Sequence, residues 1–152
     1  MDVQTGYYPF GTGFLKITCE NGELVAVETA EQAHEVNSET PLADRAYEEL
    51  CEYFCGERKE FDVPFTLRGT DFQKRVWAEL KKIPYGQTLT YGEVAFRVGC
   101  PGGARAVGMA CNKNPLPFIV PCHRVIGRNG AMVGYALGLE LKKRLLELEK
   151  DV

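Results

Sequence analysis

With 152 residues, the chain is long enough for one domain or two small ones, and its 45% hydrophobic and 26% charged residues are typical of an ordinary globular protein. Its longest apolar runs are far too short for a transmembrane helix, which excludes that class. The first residues carry neither a basic region nor an apolar core. We therefore expect no signal peptide, a cytoplasmic location (nuclear in a eukaryote) and six reduced cysteines.

The net charge of -3 conceals two halves of opposite sign. Residues 1–66 hold four Lys or Arg against fourteen Asp or Glu, a balance of -10, whereas residues 67–152 hold fourteen against seven, a balance of +7. A basic half indicates binding to a polyanion such as nucleic acid. The two halves could also attract one another across an interface, and neither reading excludes the other.

The first half begins with a predicted β-hairpin. Residues 13–19 and 23–28 alternate apolar and polar side chains on either side of Asn21-Gly22. Asn-Gly between alternating segments is the strongest short-range hairpin signal. The polar residues 30–39 predict a turn after the second strand.

A helix is predicted next, with Thr40 as its N-cap and Pro41 at its first position. Apolar residues recur at helical spacing until Gly56, which is expected to end the helix. Residues 61–65 are interrupted by Pro64 and predict a short strand or a linker.

Helices dominate the second half. Two of them begin with a capping box, in which a threonine is followed three residues later by Gln or Glu: Thr70 with Gln73, and Thr90 with Glu93. The second of these helices is short, from Tyr91 to about Val98, and a third runs from Gly103 to about Asn112. The last segment, 139–150, is amphipathic through Leu141, Leu145, Leu146 and Leu148.

The short helices at 91–98 and 103–112 are joined by a tight glycine-containing turn, which makes them a helix-turn-helix candidate inside the basic half. The second helix is slim, since five of its residues are Gly or Ala, and it can approach a narrow surface such as the minor groove of DNA. Arg105 projects from its first turn toward a phosphate or the base stack. The alternative is a small-residue helix inside a core, with Arg105 paired to a carboxylate.

Pro121-Cys122-His123-Arg124 lies between two apolar runs and carries the strongest chemical signal. Only a thiolate attacks, and an adjacent imidazole can take the thiol proton directly or through a water. A cysteine followed by histidine is therefore a candidate activated nucleophile. The alternative is a buried cysteine that acts as a small hydrophobe.

Read together, these motifs resemble the O6-alkylguanine-DNA alkyltransferases, the direct-reversal DNA repair proteins, over residues 69–149. The matching pieces are Gly69-Thr70-Asp71-Phe72-Gln73, Val76-Trp77, Ile83-Pro84-Tyr85-Gly86, Thr90-Tyr91, Gly103-Ala104-Arg105-Ala106-Val107-Gly108, Asn114-Pro115, Pro121-Cys122-His123-Arg124-Val125-Ile126, Leu145-Leu146 and Glu149. The first 66 residues match only in general layout.

The resemblance implies an irreversible, single-use transfer of an alkyl group, chiefly methyl, from O6 of guanine to Cys122, with O4 of thymine as a second candidate. It gives His123 the role of base and Glu149 that of orienting the imidazole, an arrangement that follows the logic of a catalytic triad. Asn114 would brace the active-site turn. Tyr91 would crowd the target phosphate and donate a proton to the leaving guanine.

The resemblance also implies that the damaged base is flipped out of the duplex, because its reacting atom is buried in the stack. Arg105 would fill the gap that the base leaves. Further DNA contacts are expected from Thr90, Tyr91, Ala104, Gly108 and Arg124. The alkyl pocket is expected to be lined by Pro117, Val125, Tyr135, Ala136 and Leu137.

Leu137-Gly138 departs from the family pattern, which has a pair of small residues at these positions. Leu137 is expected to narrow the alkyl pocket, and bulky adducts such as benzyl should then react more slowly than methyl.

No cofactor and no metal are expected, and the partner is double-stranded DNA containing O6-alkylguanine, bound by a monomer. Zinc is held by some family members in the first half, where Cys19, His34, Cys51 and Cys55 are potential ligands. Their spacing is not a zinc pattern, which favours free thiols.

The predicted fold is α+β: a small sheet-and-helix domain over 1–66, then a mostly helical domain over 67–152 that holds the helix-turn-helix and the cysteine. Two other functions remain open. A non-catalytic binder of alkylated DNA would lack the acceptor that Cys122 supplies. A cysteine hydrolase would need an oxyanion hole and would leave the helix-turn-helix unexplained.

Overall fold

The computed structural model describes residues 3–34, 40–131 and 134–150, and the chain forms two compact units, Met1–Arg68 and Gly69–Val152. The predicted α+β class is confirmed. The turn predicted over 30–39 lies partly outside the described residues. Within the described part of the chain, no helix has the combination of length and apolar composition that a membrane span requires.

An antiparallel sheet of order β1-β2-β3 forms the first unit, with β1 at Val3–Phe10, β2 at Gly13–Glu20 and β3 at Glu23–Ala30. The predicted hairpin is confirmed, and both Asn21 (φ 52°) and Gly22 (φ 80°) adopt the left-handed conformation of a tight hairpin turn. The first strand was not predicted, because its sequence contains a glycine and a proline. It lies at the sheet edge, where proline is tolerated.

Helix α1, Pro41–Phe54, packs against this sheet and ends before Gly56, as predicted. The start of α1 differs from the prediction in one detail. Thr40 makes no side-chain capping bond, and its hydroxyl donates instead to Asp44 at 3.2 Å. The segment 61–65 is a linker that makes one isolated bridge to the sheet, Phe65 with Leu24, in which the Leu24 amide donates to the Pro64 carbonyl at 2.9 Å.

Four α-helices lie among the described residues of the second unit: α2 at Asp71–Leu80, α3 at Tyr91–Arg97, α4 at Ala104–Asn112 and α5 at Leu139–Lys150. Both predicted capping boxes are present. Helices α2, α3 and α4 pack on one another, and the Trp77 indole donates to the Ala110 carbonyl at 2.9 Å. The two helices of the predicted helix-turn-helix therefore pack into this unit, whereas Gly99, Pro101 and Gly102 in the turn that joins them are exposed.

A parallel pair of very short strands, β4 at Leu89–Thr90 and β5 at Val125–Ile126, was not predicted. Strand β4 leads directly into α3, and β5 directly follows the 3-10 turn Cys122–Arg124. The pairing therefore ties the start of α3 to the chain that follows the candidate nucleophile.

The buried face of α5 differs from the apolar face predicted for it. The structure buries Lys142, Leu145, Leu146 and Glu149, whereas Leu141 and Leu148 are half-buried. The difference arises because two charged side chains have polar partners inside the unit, which a periodicity based on apolar residues cannot register.

Candidate active site

The side chain of Asn114 is hydrogen-bonded to the cysteine turn. The side-chain amide of Asn114 donates to the Val120 carbonyl at 2.9 Å and to Cys122 Sγ at 3.3 Å, and its oxygen accepts from the Leu116 amide at 2.9 Å. The intervening Phe118 has a φ of 75°, a left-handed conformation that costs a bulky residue about 1–3 kcal/mol. Asn114 therefore fixes a loop whose backbone would otherwise relax.

Cys122 is buried, and its thiol is protonated at rest. Burial raises the pKa of this thiol, while the Asn114 amide and the ammonium of Lys142 act in the opposite direction. Because desolvation is the largest of these effects, the thiol needs a base before its sulfur can attack.

The next residue, His123, is the candidate for that base. His123 Nε2 lies 2.7 Å from Glu149 Oε2, and both side chains are buried. Burial lowers the pKa of His123, although the Glu149 carboxylate opposes this shift. The imidazole is therefore neutral at pH 7, and since Nε2 faces the carboxylate, Nδ1 is the nitrogen that can accept a proton.

Arg124 does not lie on the surface predicted for it as a DNA contact. Its side chain is buried, with Nε 2.8 Å from Glu149 Oε1 and Nη2 3.0 Å from Oε2, while Nη1 donates to the Ile83 carbonyl at 2.7 Å. A buried carboxylate is unfavourable unless it is paired. The guanidinium therefore stabilises Glu149 and is not available to a phosphate.

Tyr91 lies on the other side of the site, where Lys142 holds it. Lys142 Nζ donates to the Tyr91 hydroxyl at 3.4 Å and to the Gly134 carbonyl at 3.2 Å, and the Tyr91 hydroxyl donates to the same carbonyl at 3.2 Å. Burial, with smaller effects from Cys111 and Cys122, raises the pKa of Tyr91 to about 12. The phenol therefore keeps its proton at neutral pH and can act as a donor.

Lys142 was missed by the sequence analysis, since a lysine in an amphipathic helix is normally exposed. One signal could have found it. Lys142 precedes Glu149 by seven residues, which places both side chains on the same face of α5.

The predicted pocket residues are only partly brought together. Pro117 and Val125 are buried beside the cysteine turn, and Tyr135 is half-buried. Burial and then the nearby Cys122 raise the pKa of Tyr135, whose hydroxyl is enclosed without a hydrogen-bond partner among the described residues. Ala136 is exposed and Leu137 half-buried in the loop that follows.

Helix α4 presents the residues predicted to meet DNA. Arg105 is exposed and forms no ion pair with a described carboxylate, which argues against the alternative of an arginine paired inside a core. Ala104 and Gly108 are half-buried, and a Cβ on Gly108 would lie 3.9 Å from the Tyr91 ring. The Thr90 hydroxyl oxygen is engaged within the protein, because it caps α3 by accepting from the Glu93 amide at 3.1 Å.

Among the other cysteines, Cys111 is buried near the site, because it interacts electrostatically with Tyr91, Cys122 and Lys142. Among the described residues there is no group of three or more His, Cys, Asp or Glu side chains that could hold a metal ion. All six cysteines, each within the described ranges, are free thiols, and Cys55 is exposed. His34 is exposed and meets the Tyr7 ring edge-on at 5.5 Å.

Comparison with known families gives a match over residues 71–151 to the DNA binding domain of 6-O-methylguanine DNA methyltransferase. A methylated-DNA–protein-cysteine methyltransferase of Mycobacterium tuberculosis is 58% identical over 106 residues, which are 70% of this chain and 64% of that protein. The relative from Mycolicibacterium paratuberculosis is 46% identical over 143 residues, 91% of this chain and 87% of that protein.

Two solved structures extend the similarity to nearly the whole chain. The crystal structure of the M. tuberculosis O6-methylguanine methyltransferase has a TM-score of 0.86 at 44% identity and covers 98% of this chain and 93% of that one. The crystal structure of M. tuberculosis OGT in complex with DNA has a TM-score of 0.84 at 45% identity and covers 97% and 92%.

The burial of Arg124 leads to a prediction about stability. Arg124→Ala leaves the Glu149 carboxylate buried without its cation, so we expect the free energy of unfolding to fall by about 3 kcal/mol or more. Urea unfolding followed by the fluorescence of Trp77, the single tryptophan, reports on this unit. The control, Arg128→Ala at an exposed position, should change stability by less than about 0.5 kcal/mol. Equal, small effects of both changes would contradict the structural role.

Proposed function

Because the chain belongs to the family of the methylated-DNA–protein-cysteine methyltransferases, we propose that it repairs DNA by direct reversal. It transfers an alkyl group, chiefly methyl, from O6 of guanine to Cys122, with O4 of thymine as a second substrate. The observation that carries the proposal is a buried thiol followed by a buried imidazole–carboxylate pair, in the unit that also carries the helix-turn-helix.

The chemistry begins with the proton of Cys122, which passes to His123 Nδ1 directly or through one water. Glu149 stabilises the imidazolium that forms, and Arg124 keeps Glu149 in place. The sulfur then attacks the alkyl carbon in line. The new C–S bond forms as the C–O6 bond breaks, and the electron pair of that bond stays with guanine.

Tyr91 donates the proton that the leaving guanine requires. Its raised pKa keeps the phenol protonated until charge develops on the base, and Lys142 stabilises the phenolate that results. The thioether formed on Cys122 is stable in water, and we assign no second residue to remove the alkyl group from the sulfur. Each protein molecule is therefore used once, and the reaction requires no cofactor.

Double-stranded DNA is the partner, bound by a monomer through α4. The net charge of +7 over residues 67–152 favours binding to phosphates, which weakens as salt is added. The target base must leave the stack before Cys122 can reach it. Arg105, exposed in the first turn of α4, enters the space that the base vacates.

A titration of repair tests the proposal directly. The protein is incubated with an excess of duplex containing O6-methylguanine, and the lesion that remains is measured. We expect the loss to stop at one lesion per protein molecule, and to be absent in Cys122→Ala. A duplex that is bound but unchanged would indicate a non-catalytic lesion-binding protein instead. Loss of more than one lesion per protein molecule, together with turnover of an ester substrate measured in parallel, would indicate a cysteine hydrolase.

Replacement of the inserted arginine separates binding from chemistry. With Arg105→Ala, repair of duplex DNA should slow by at least about ten-fold, because the lost stacking, which costs a few kcal/mol, is no longer offset. The rate with the free base O6-methylguanine should stay close to that of the wild type. An equal decrease in both rates would exclude the insertion role of Arg105.

Leu137 provides a test of adduct size. Leu137→Gly widens the alkyl pocket, so the benzyl-to-methyl rate ratio should rise by about three- to ten-fold. Leu139→Ala is the matched control, because Leu139 is an exposed leucine at the start of α5. An unchanged ratio in Leu137→Gly would show that Leu137 does not limit the pocket.

A further inference from the structure

The outward face of α4 carries an exposed methionine. Helix α4 buries Val107, Ala110 and Cys111. Positions 105, 109 and 112 lie on the opposite side, because they are separated by four and seven residues. All three are exposed, and Met109 has 65% of its surface accessible to solvent.

Met109 differs from the other exposed hydrophobic side chains in its position. Val3 begins β1, Phe96 is 72% exposed but belongs to α3, and Leu139 begins α5. Met109 shares its ridge with Arg105, and its Cβ is expected about 5–6 Å away, one turn further along the helix. A surface that receives the Arg105 side chain must therefore come close to Met109 as well.

The residues beside this ridge are small. Ala104, Ala106 and Gly108 flank it, so the Arg105 and Met109 side chains are the two longest groups that the first two turns of α4 direct outward. A narrow helix with such a ridge fits a groove. In a groove of DNA, the deoxyribose carbons form apolar walls, while the phosphates lie at the rim.

We propose that Met109 is a second DNA-contact residue, which lays its thioether chain against the deoxyribose wall beside the gap that Arg105 fills. This inference rests on the proposed function. An unbranched, flexible side chain adapts to an irregular apolar wall, and methionine is among the apolar residues that minor-groove proteins place against or between base steps. Since sugars carry no sequence information, the contact strengthens binding to any sequence.

An apolar contact has a signature that a phosphate contact lacks. Removal of a phosphate contact lowers the slope of log affinity against log salt concentration by about 0.9. Removal of an apolar contact lowers the affinity at every salt concentration and leaves the slope unchanged. The two kinds of contact can therefore be distinguished on undamaged duplex DNA.

The experiment measures binding of a fluorescent undamaged duplex by anisotropy over a salt series, for the wild-type 152-residue chain and three variants. Met109→Ala should bind about three- to ten-fold more weakly with the same salt slope. Met109→Leu should retain most of the affinity, and Phe96→Ala should match the wild type. Reaction with free O6-methylguanine should be the same in all four proteins, which shows that the site is intact.

The proposal would be overturned if Met109→Ala bound the duplex as tightly as the wild type, or if its salt slope differed from that of the wild type. A changed oligomeric state of Met109→Ala by light scattering, with DNA affinity unchanged, would assign the ridge to contact with a second copy and would also overturn it. The same wild-type preparation is tested for repair of a methylated duplex. Failure of that repair would refute the proposed function, whereas the binding data alone decide the role of Met109.

Discussion

The second unit depends on one buried carboxylate, that of Glu149. It contacts the His123 imidazole at 2.7 Å and the Arg124 guanidinium at 2.8 and 3.0 Å, and it also accepts from the Gly86 amide at 3.4 Å. A buried carboxylate with fewer partners would be strongly unfavourable. Helix α5 must therefore dock where these partners meet, and this docking fixes the orientation of the imidazole, which is the base of the proposed mechanism.

The same face of α5 also organises the opposite side of the site. Lys142, two turns before Glu149, holds the Tyr91 hydroxyl, and the β4–β5 pairing ties the start of α3 to the chain after Cys122. The proposed base, His123, and the proposed proton donor, Tyr91, are thus positioned by one helix and one short strand pair. Groups held by such packed elements keep a reactive geometry better than groups on loops. The outward ridge of α4 is exposed and can meet DNA.

Short-range signals in the sequence were sufficient for most elements. Asn21-Gly22 predicted the hairpin, and the threonine capping boxes predicted the starts of α2 and α3, because each depends on residues within a few positions of one another. The site was harder to predict. The adjacency of Cys122 and His123 suggested a base for the thiol, whereas the part assigned to Glu149 came only from the family resemblance. Arg124 was misjudged and Lys142 was missed, since charged side chains are exposed by default and the partners Ile83 and Tyr91 lie far away in the sequence.

The central claim is that the buried Cys122, and none of the other five cysteines, accepts the alkyl group. Intact-protein mass spectrometry and peptide mapping after reaction with an O6-methylguanine duplex test it most directly. We expect one added methyl group, on the peptide that contains Cys122. A methyl group on another cysteine, such as the exposed Cys55, or a repaired duplex with unmodified protein, would contradict the mechanism.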